Sequence, residues 1–230
     1  MKHDLLSKIY RDKEIQDITY KLMMMNEKRY DAITYLNIRY ITTILIFIIG
    51  IYSFKFGYLV SPLISIMYYY LFYYITITKP LKKRTKKLEK EALQFFEILT
   101  LTLESGRNLE NALETTVCNV ESEISNEFKQ TLIEMKFGKS LFEALEDMKK
   151  RIPSENINNI IVNITQTSIF GNSILDTMYN QLDFLRDKQI LEIKGEINKI
   201  PNKVSIISVI FVVPLILLLV IGPFIIELIG

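Results

Sequence analysis

The sequence predicts an all-α membrane protein, and three observations carry that prediction. Long apolar stretches at residues 41–54, 58–78 and 204–229 stand apart from a charged remainder, and a helix needs roughly 20 apolar residues at about 1.5 Å each to cross hydrocarbon. Between the second and third stretches the apolar residues recur with helical period, and no alternating run bounded by turn residues reads as a strand. Hydrophobic residues make up 49% of the 230 while 23% are charged, a combination that requires the two kinds to be segregated.

These observations divide the chain into a cytoplasmic N-terminal helical segment (1–40), a transmembrane hairpin (41–78), a basic collar with a cytoplasmic antiparallel six-helix bundle (79–203), and a C-terminal transmembrane helix (204–230). The first apolar stretch is short for a span, so it is expected to borrow Tyr40 on one side and Lys55 on the other, the lysine snorkelling to the headgroups. Only residues 55–57 separate the first two stretches, which therefore read as a helix that crosses and one that returns. Pro62 is expected near the first turn of the second, where a proline does least harm. Without a small-residue cleavage site after it, the first stretch reads as an anchor and not a signal peptide. The Ile15–Tyr30 stretch is expected to be a helical arm lying on the membrane or on a partner.

Orientation follows the lysine and arginine asymmetry. The run Lys79-Pro80-Leu81-Lys82-Lys83-Arg84-Thr85-Lys86-Lys87 forms a dense collar after the second stretch. Residues 1–40 add eight basic side chains, whereas the loop between the stretches has only Lys55. Both large polar parts are thus placed in the cytoplasm, and the third span carries the C-terminus out. The collar's Lys79, Lys82, Lys83, Arg84, Lys86 and Lys87 abut a span, where anionic headgroups attract each basic residue by about 1 kcal/mol. Membrane lipids are therefore the expected partner of the collar, and nucleic acid is not.

Within the bundle, Leu88, Ala92, Phe95, Phe96, Leu99 and Leu103 mark the first helix, over about 88–104, which stops at Ser105-Gly106. Asn108 caps the second, with Leu109, Ala112, Leu113, Thr116, Val117 and Val120. Ile124, Phe128, Leu132 and Met135 mark the third, which ends at Gly138. Ser140 and Glu143 form a capping box for the fourth. Pro153-Ser154 opens the fifth, with Ile157, Ile160, Ile161 and Ile164, which ends at Gly171. Ser173 opens a sixth that runs towards Lys199 and leads into the last span after Pro201. From Glu91 to Lys203 there are 18 acidic and 12 basic residues, so the bundle carries about −6 and its far face is expected to stand off anionic lipid and meet a partner. The spacing of Gly106, Gly138 and Gly171 also suits helical repeats of 32 or 33 residues, but the aromatic and alanine positions of tetratricopeptide-type repeats do not recur.

Chemistry of the chain's own is not expected. One histidine, His3, and one cysteine, Cys118, exclude a His–His metal site, a Ser–His triad and a cysteine-based zinc cluster. Cys118, beside an apolar stripe, is expected to be a buried thiol. Gly138-Lys139-Ser140 imitates the end of a phosphate-binding loop, yet Ile133 stands where the first glycine belongs. No cofactor or metal is implied.

Three segments carry a resemblance. Leu99-Thr100-Leu101-Thr102-Leu103-Glu104-Ser105-Gly106, with Leu109, Ala112 and Leu113, resembles the opening of the type II secretion system F-type domain. Phe137-Gly138-Lys139-Ser140-Leu141-Phe142-Glu143-Ala144-Leu145 is similar to that family's G-x-S-L-x-x-A-L stretch. Gln166-Thr167-Ser168-Ile169-Phe170-Gly171, followed by Leu175, Leu182, Leu185 and Arg186, is the third. Val212-Val213-Pro214 and Gly222-Pro223 are similar to the closing span of the TadC-like branch, which carries a single such domain. The resemblance implies an inner-membrane platform subunit of a Tad/Flp-type pilus or type II-like secretion machine. Such a subunit couples a cytoplasmic hexameric ATPase to insertion or extraction of pilins, alongside a second, TadB-like F-type protein, as a homo- or hetero-oligomer. The competing readings are a membrane-tethered helical adaptor and a transporter component, the latter weakened by spans without mid-membrane ionisable sites.

Overall fold

The computed structural model describes residues 12–25, 31–53, 57–170 and 174–229, and every regular element among them is a helix. Helix α1 spans Asp12–Met24, α2 Ala32–Ser53 and α3 Gly57–Tyr73. A π-helical turn, Tyr74–Thr78, joins α3 to α4, Lys79–Glu104. There follow α5 (Leu109–Asn119), α6 (Glu123–Lys136), α7 (Leu141–Arg151), α8 (Glu155–Phe170), α9 (Ile174–Ile197) and α10 (Lys199–Ile229). The chain divides into two units, Met1–Leu182 and Asp183–Gly230.

Among the described residues, three helical stretches are long and apolar enough to cross a membrane: Ala32–Tyr52, a window within Gly57–Glu104, and one within Ile174–Ile221. The first helix starts nine residues before the predicted 41. Tertiary packing is the reason, because Ala32, Tyr35 and Leu36 are buried against Ile18 and Met25 from the α1 end of the chain and Ile77 of the π turn. Helix α1 is accordingly not a free arm. Lys21 anchors it further by donating to the Tyr73 hydroxyl at 2.8 Å while pairing with Asp17. Burial opposes the Lys21 charge, but hydrogen bonds to Asp17 and Tyr73 outweigh it and raise the ammonium pKa.

Helices α2 and α3 pack antiparallel. Ser61 Oγ donates to the Phe47 carbonyl at 2.6 Å, the Tyr40 and Tyr69 rings lie 5.7 Å apart, and Tyr35 and Thr76 share a hydroxyl contact at 2.9 Å. Gly50 permits the approach, since a Cβ there would stand 2.7 Å from Ser61 Oγ. Gly50→Leu is therefore expected to destabilise the pair by about 1–3 kcal/mol through overpacking, read as a lower thermal midpoint in detergent. Pro62 sits six residues into α3, in the second turn and not the first.

The chain does not restart at Leu88 as predicted. It runs helically from Gly57 to Glu104, because lysine and arginine favour helix and nothing in the collar except Pro80 opposes it. In a regular α-helix the Pro80 ring would clash with the carbonyl four residues back. The π turn immediately before it, with Lys79 N–H donating to the Tyr74 carbonyl, is a wider turn at the place where that clash needs relief.

Helix α4 is central to the first unit. Its Leu88, Ala92, Phe95, Phe96, Leu99 and Leu103 are buried together with Leu113, Ile124, Phe128, Met148, Ile157, Ile160 and Met178 from the other helices. Phe128 stacks on Phe95 at 4.5 Å between centroids and meets Phe96 edge-on at 6.1 Å. Cys118 is exposed, contrary to expectation. Nine residues beyond Leu109 at about 100° per residue, it lies on the opposite face from the buried stripe.

Candidate functional site

A short length of α4, residues 84–91, is where the helix leaving the apolar pair is fastened to the charged helices. Arg84 is only 8% exposed. Its Nε donates to Glu123 at 2.6 Å and its Nη2 to Glu127, also at 2.6 Å. Its Nη1 donates to the carbonyl of Arg151 at 2.9 Å and to that of Met24. One guanidinium thus caps the ends of α1 and α7 and binds two carboxylates of α6. Arg151 completes the network, with Nε to Glu127 at 3.0 Å and Nη1 to Glu134 at 2.9 Å.

Neighbouring polar groups extend the fastening. Glu91 accepts from the Glu123 backbone N–H at 2.7 Å, satisfying a free amide at the start of α6. Glu89 accepts from Ser154 Oγ and Asn156 Nδ2, both at 2.7 Å, which fixes the turn into α8. Thr85 Oγ1 reaches the Pro153 carbonyl at 3.0 Å. Asn156 and Asn158 are half-buried and hydrogen-bonded, and of the three asparagines there Asn159 alone is exposed.

Electrostatics favour the charged forms. Burial pushes the Glu123 carboxyl up, yet hydrogen bonds from Arg84 and Lys87 outweigh it and hold the pKa below 4.5. Glu134 is likewise held below 4.5, burial being overcome by Lys139 and Arg151. A carboxylate with a depressed folded pKa contributes stability that is complete above its unfolded value and drains away as pH falls through the folded one. The thermal midpoint should therefore hold from pH 7 to about 5 and fall below about 4.5. A midpoint that rose on acidification through this window would contradict the ion-paired geometry.

The loop-side features are ordered by local chemistry. Gly106 and Gly138 take φ of +81° and +99°, the left-handed region that favours glycine. Asn108, Ser122 and Ser140 each accept from a backbone N–H three residues on, and Ser140 with Glu143 forms the full reciprocal box. The Asp147 carboxyl is drawn down to about 2 by hydrogen bonds from Lys139 and Lys150. Among the described residues no group of three metal-ligating side chains converges.

The chain, whose described residues form only helices as regular elements, is matched over residues 95–222 by the family described as Type II secretion system (T2SS), protein F. The chain belongs to this family. No curated protein and no solved structure matches it. Proteins of the T2SS protein F family are membrane platform components and not known enzymes, and the three apolar helices fit an inner-membrane protein of secretion or pilus machinery.

The F-family match starts inside α4 and ends in α10. Of the residues that carried the resemblance, Leu109, Ala112, Leu113, Ala144 and Leu145 are core, while Leu141 and Leu175 are half-buried. Ser140 is a cap, Gly106 and Gly138 are turns, and Gly171 lies outside the described residues. Arg186 is exposed and 3.8 Å from Asp183. Among the described residues, the spacing of these positions serves helix ends and packing. The collar divides too: Lys79, Lys82, Lys83, Lys86 and Lys87 are exposed, but Arg84 turns inward to Glu123 and Glu127 instead of facing headgroups. Sequence reasoning missed this network. Its one available signal was the placement of Glu123, Glu127 and Glu134 at offsets of four and seven, along a single face of α6.

Proposed function

We propose that the chain is the platform subunit of a single-F-domain, TadC-like machine, anchored by three spans with the N-terminus in the cytoplasm and the C-terminus outside. The helical unit receives displacement from a cytoplasmic hexameric ATPase, and the spans pass it to pilins being inserted or extracted, beside a second, TadB-like F protein. The observation that carries this reading is the unbroken helical path from Gly57 to Glu104, pinned by Arg84. Two packed helices and a rigid extension transmit a rotation or shift that a flexible linker would absorb.

Of the exposed collar lysines, Lys79, Lys82, Lys83 and Lys86 lie at the headgroups and set the depth of the hairpin, while Lys87 pairs with Glu123 at 3.0 Å. The exposed turns at Gly106 and Gly138 belong to the partner-facing side. Purification of the detergent-solubilised protein from its own host, with its companions identified by mass spectrometry, tests the reading. A hexameric ATPase and a second F-type membrane protein are the expected companions. Recovery of transport or signalling proteins in their place would reject the platform role and favour an adaptor or transporter component.

A further inference from the structure

Arg39 and Arg84 are equally enclosed, at 7% and 8% exposure, yet they are held differently. Arg84 reaches two carboxylates and two carbonyls. Arg39 has one protein acceptor, the Tyr69 carbonyl, 3.2 Å from its Nη2. A guanidinium carries five N–H donors and keeps its charge in a protein. The Arg39 Nε is buried without a partner, and no carboxylate among the described residues pairs with the group, Asp17 of α1 being taken by Lys21. Its other contacts are aromatic. The guanidinium carbon stands 3.5 Å from the Tyr69 ring centroid and 5.1 Å from that of Tyr73. Ring faces attract a cation without supplying a counter-charge.

The apolar stretch read from the sequence begins at residue 41, but the first membrane-long helix is Ala32–Tyr52, which puts Arg39 about 10 Å inside its N-terminal end. An ionisable group in a span is costly and needs a partner. A helical side chain leans towards its own N-terminus, and long cationic side chains snorkel towards the headgroups. In the proposed orientation both effects carry the guanidinium towards the cytoplasmic leaflet, and Tyr73 lies one turn beyond Tyr69 in that direction. At Tyr73 the hairpin meets the charged helix α1, whose Lys21 donates to the Tyr73 hydroxyl at 2.8 Å. Tyr35, Tyr40, Tyr69 and Tyr73 gather around this level, as in the aromatic belts that mark the edge of the hydrocarbon.

We infer that Arg39 is a binding site for the phosphate of an anionic phospholipid in the cytoplasmic leaflet. The guanidinium donates to the phosphate oxygens, which supply the negative charge that the fold does not. The site rests on the proposed hairpin of α2 and α3 and its orientation, and on no part of the platform role. Free phosphate offers the same oxygens, but Ile38 and Ile41 beside Arg39, and Ile66 and Tyr70 beside Tyr69, are exposed and largely apolar. That surroundings suit a phosphate carried on acyl chains. Arg39 thereby differs from the exposed collar lysines, which meet headgroups as separate point charges.

Native mass spectrometry of the full chain, titrated in detergent with phosphatidylglycerol, tests the site. Diacylglycerol with the same acyl chains is the probe without phosphate, and inorganic phosphate is the free anion. Phosphatidylglycerol should bind the unaltered chain at least about tenfold more tightly than Arg39→Gln, while diacylglycerol should not distinguish them. Arg39→Lys should fall between, because an ammonium keeps the charge and loses the fork. If Arg39→Gln fails to fold, a loss of at least about threefold in Arg39→Lys carries the same comparison. Lys82→Gln, on an exposed collar lysine, should weaken binding less than Arg39→Gln. Equal affinities with and without Arg39, or equal losses in Lys82→Gln and Arg39→Gln, would overturn the site. Displacement of the lipid by equimolar inorganic phosphate would assign Arg39 to the free anion and overturn the lipid. Loss of a co-purifying membrane protein from Arg39→Gln, with lipid binding unchanged, would assign Arg39 to a partner's carboxylate. The hairpin is checked separately by Tyr52→Cys in a Cys118→Ser background, which an impermeant maleimide should label from outside the intact host membrane. Labelling only after permeabilisation would overturn the orientation, and the cytoplasmic-leaflet site with it.

Discussion

Arg84→Ala is expected to destabilise the first unit by about 3–5 kcal/mol, the cost of removing one partner from a buried ion pair. Glu127, only 5% exposed, would be left to Arg151 alone, and the carbonyls at the ends of α1 and α7 would lose their donor. Total domain stability is on the order of 5–15 kcal/mol, so such a loss is a large fraction of it. Arg84→Lys should recover less than half, since an ammonium cannot reach two carboxylates and two carbonyls in one planar fork. Arg84→Met combined with Glu127→Gln should be milder than Arg84→Met alone, because no unpaired charge remains buried. Lys82→Ala and Lys83→Ala, both on exposed side chains, should shift stability by no more than about 0.5 kcal/mol. Thermal unfolding of the six detergent-solubilised variants at pH 7 reads these changes. If Arg84→Ala matched the two lysine variants, Arg84 would be a headgroup contact and the pinned-helix account would be wrong.

The contrast within the collar shows what the sequence could and could not convey. Helix ends were legible because capping is local: Ser140 and Glu143 lie three residues apart, and the helix they open starts where that spacing places it. The apolar stripe of α4 was legible for the same reason, its period being written in neighbouring turns. Arg84 was not, because six basic residues in a run look alike until Glu123 and Glu127, about forty positions away, are folded against one of them. Helix α1 was similarly opaque, since its partners Tyr73 and Ile77 come from the far end of the apolar pair. Cys118 was misjudged for a different reason. The preference of cysteine for the interior was weighed above helical phase, which already set it opposite Leu109. Of the candidate site, then, the turns and caps could be read, but the charged fastening that makes them a mechanical unit required tertiary contacts.

Phe128→Ala carries the other large expected effect, again about 3–5 kcal/mol, from lost transfer free energy and the cavity left behind. Phe128 is 2% exposed, and its ring stacks on Phe95 and meets Phe96 edge-on, both fixed on α4. Those neighbours touch each other edge-on at 5.6 Å, so neither is free to swing into the space. Poor relaxation keeps the cost near the upper end of the range for such truncations. Phe137, nine residues later and just past the same helix, is the internal control. It is 86% exposed, and Phe137→Ala should change stability by no more than about 0.5 kcal/mol. The two truncations remove the same atoms, so any difference between them measures packing and not composition. Because α4 is also the helix that leads out of the apolar pair, the Phe128 cavity loosens the same element that Arg84 pins. The two losses share a partner, and Arg84→Ala with Phe128→Ala should therefore depart from simple addition. Strict additivity in thermal unfolding would mean that α4 is held independently at its two ends, and would argue against a single rigid connector.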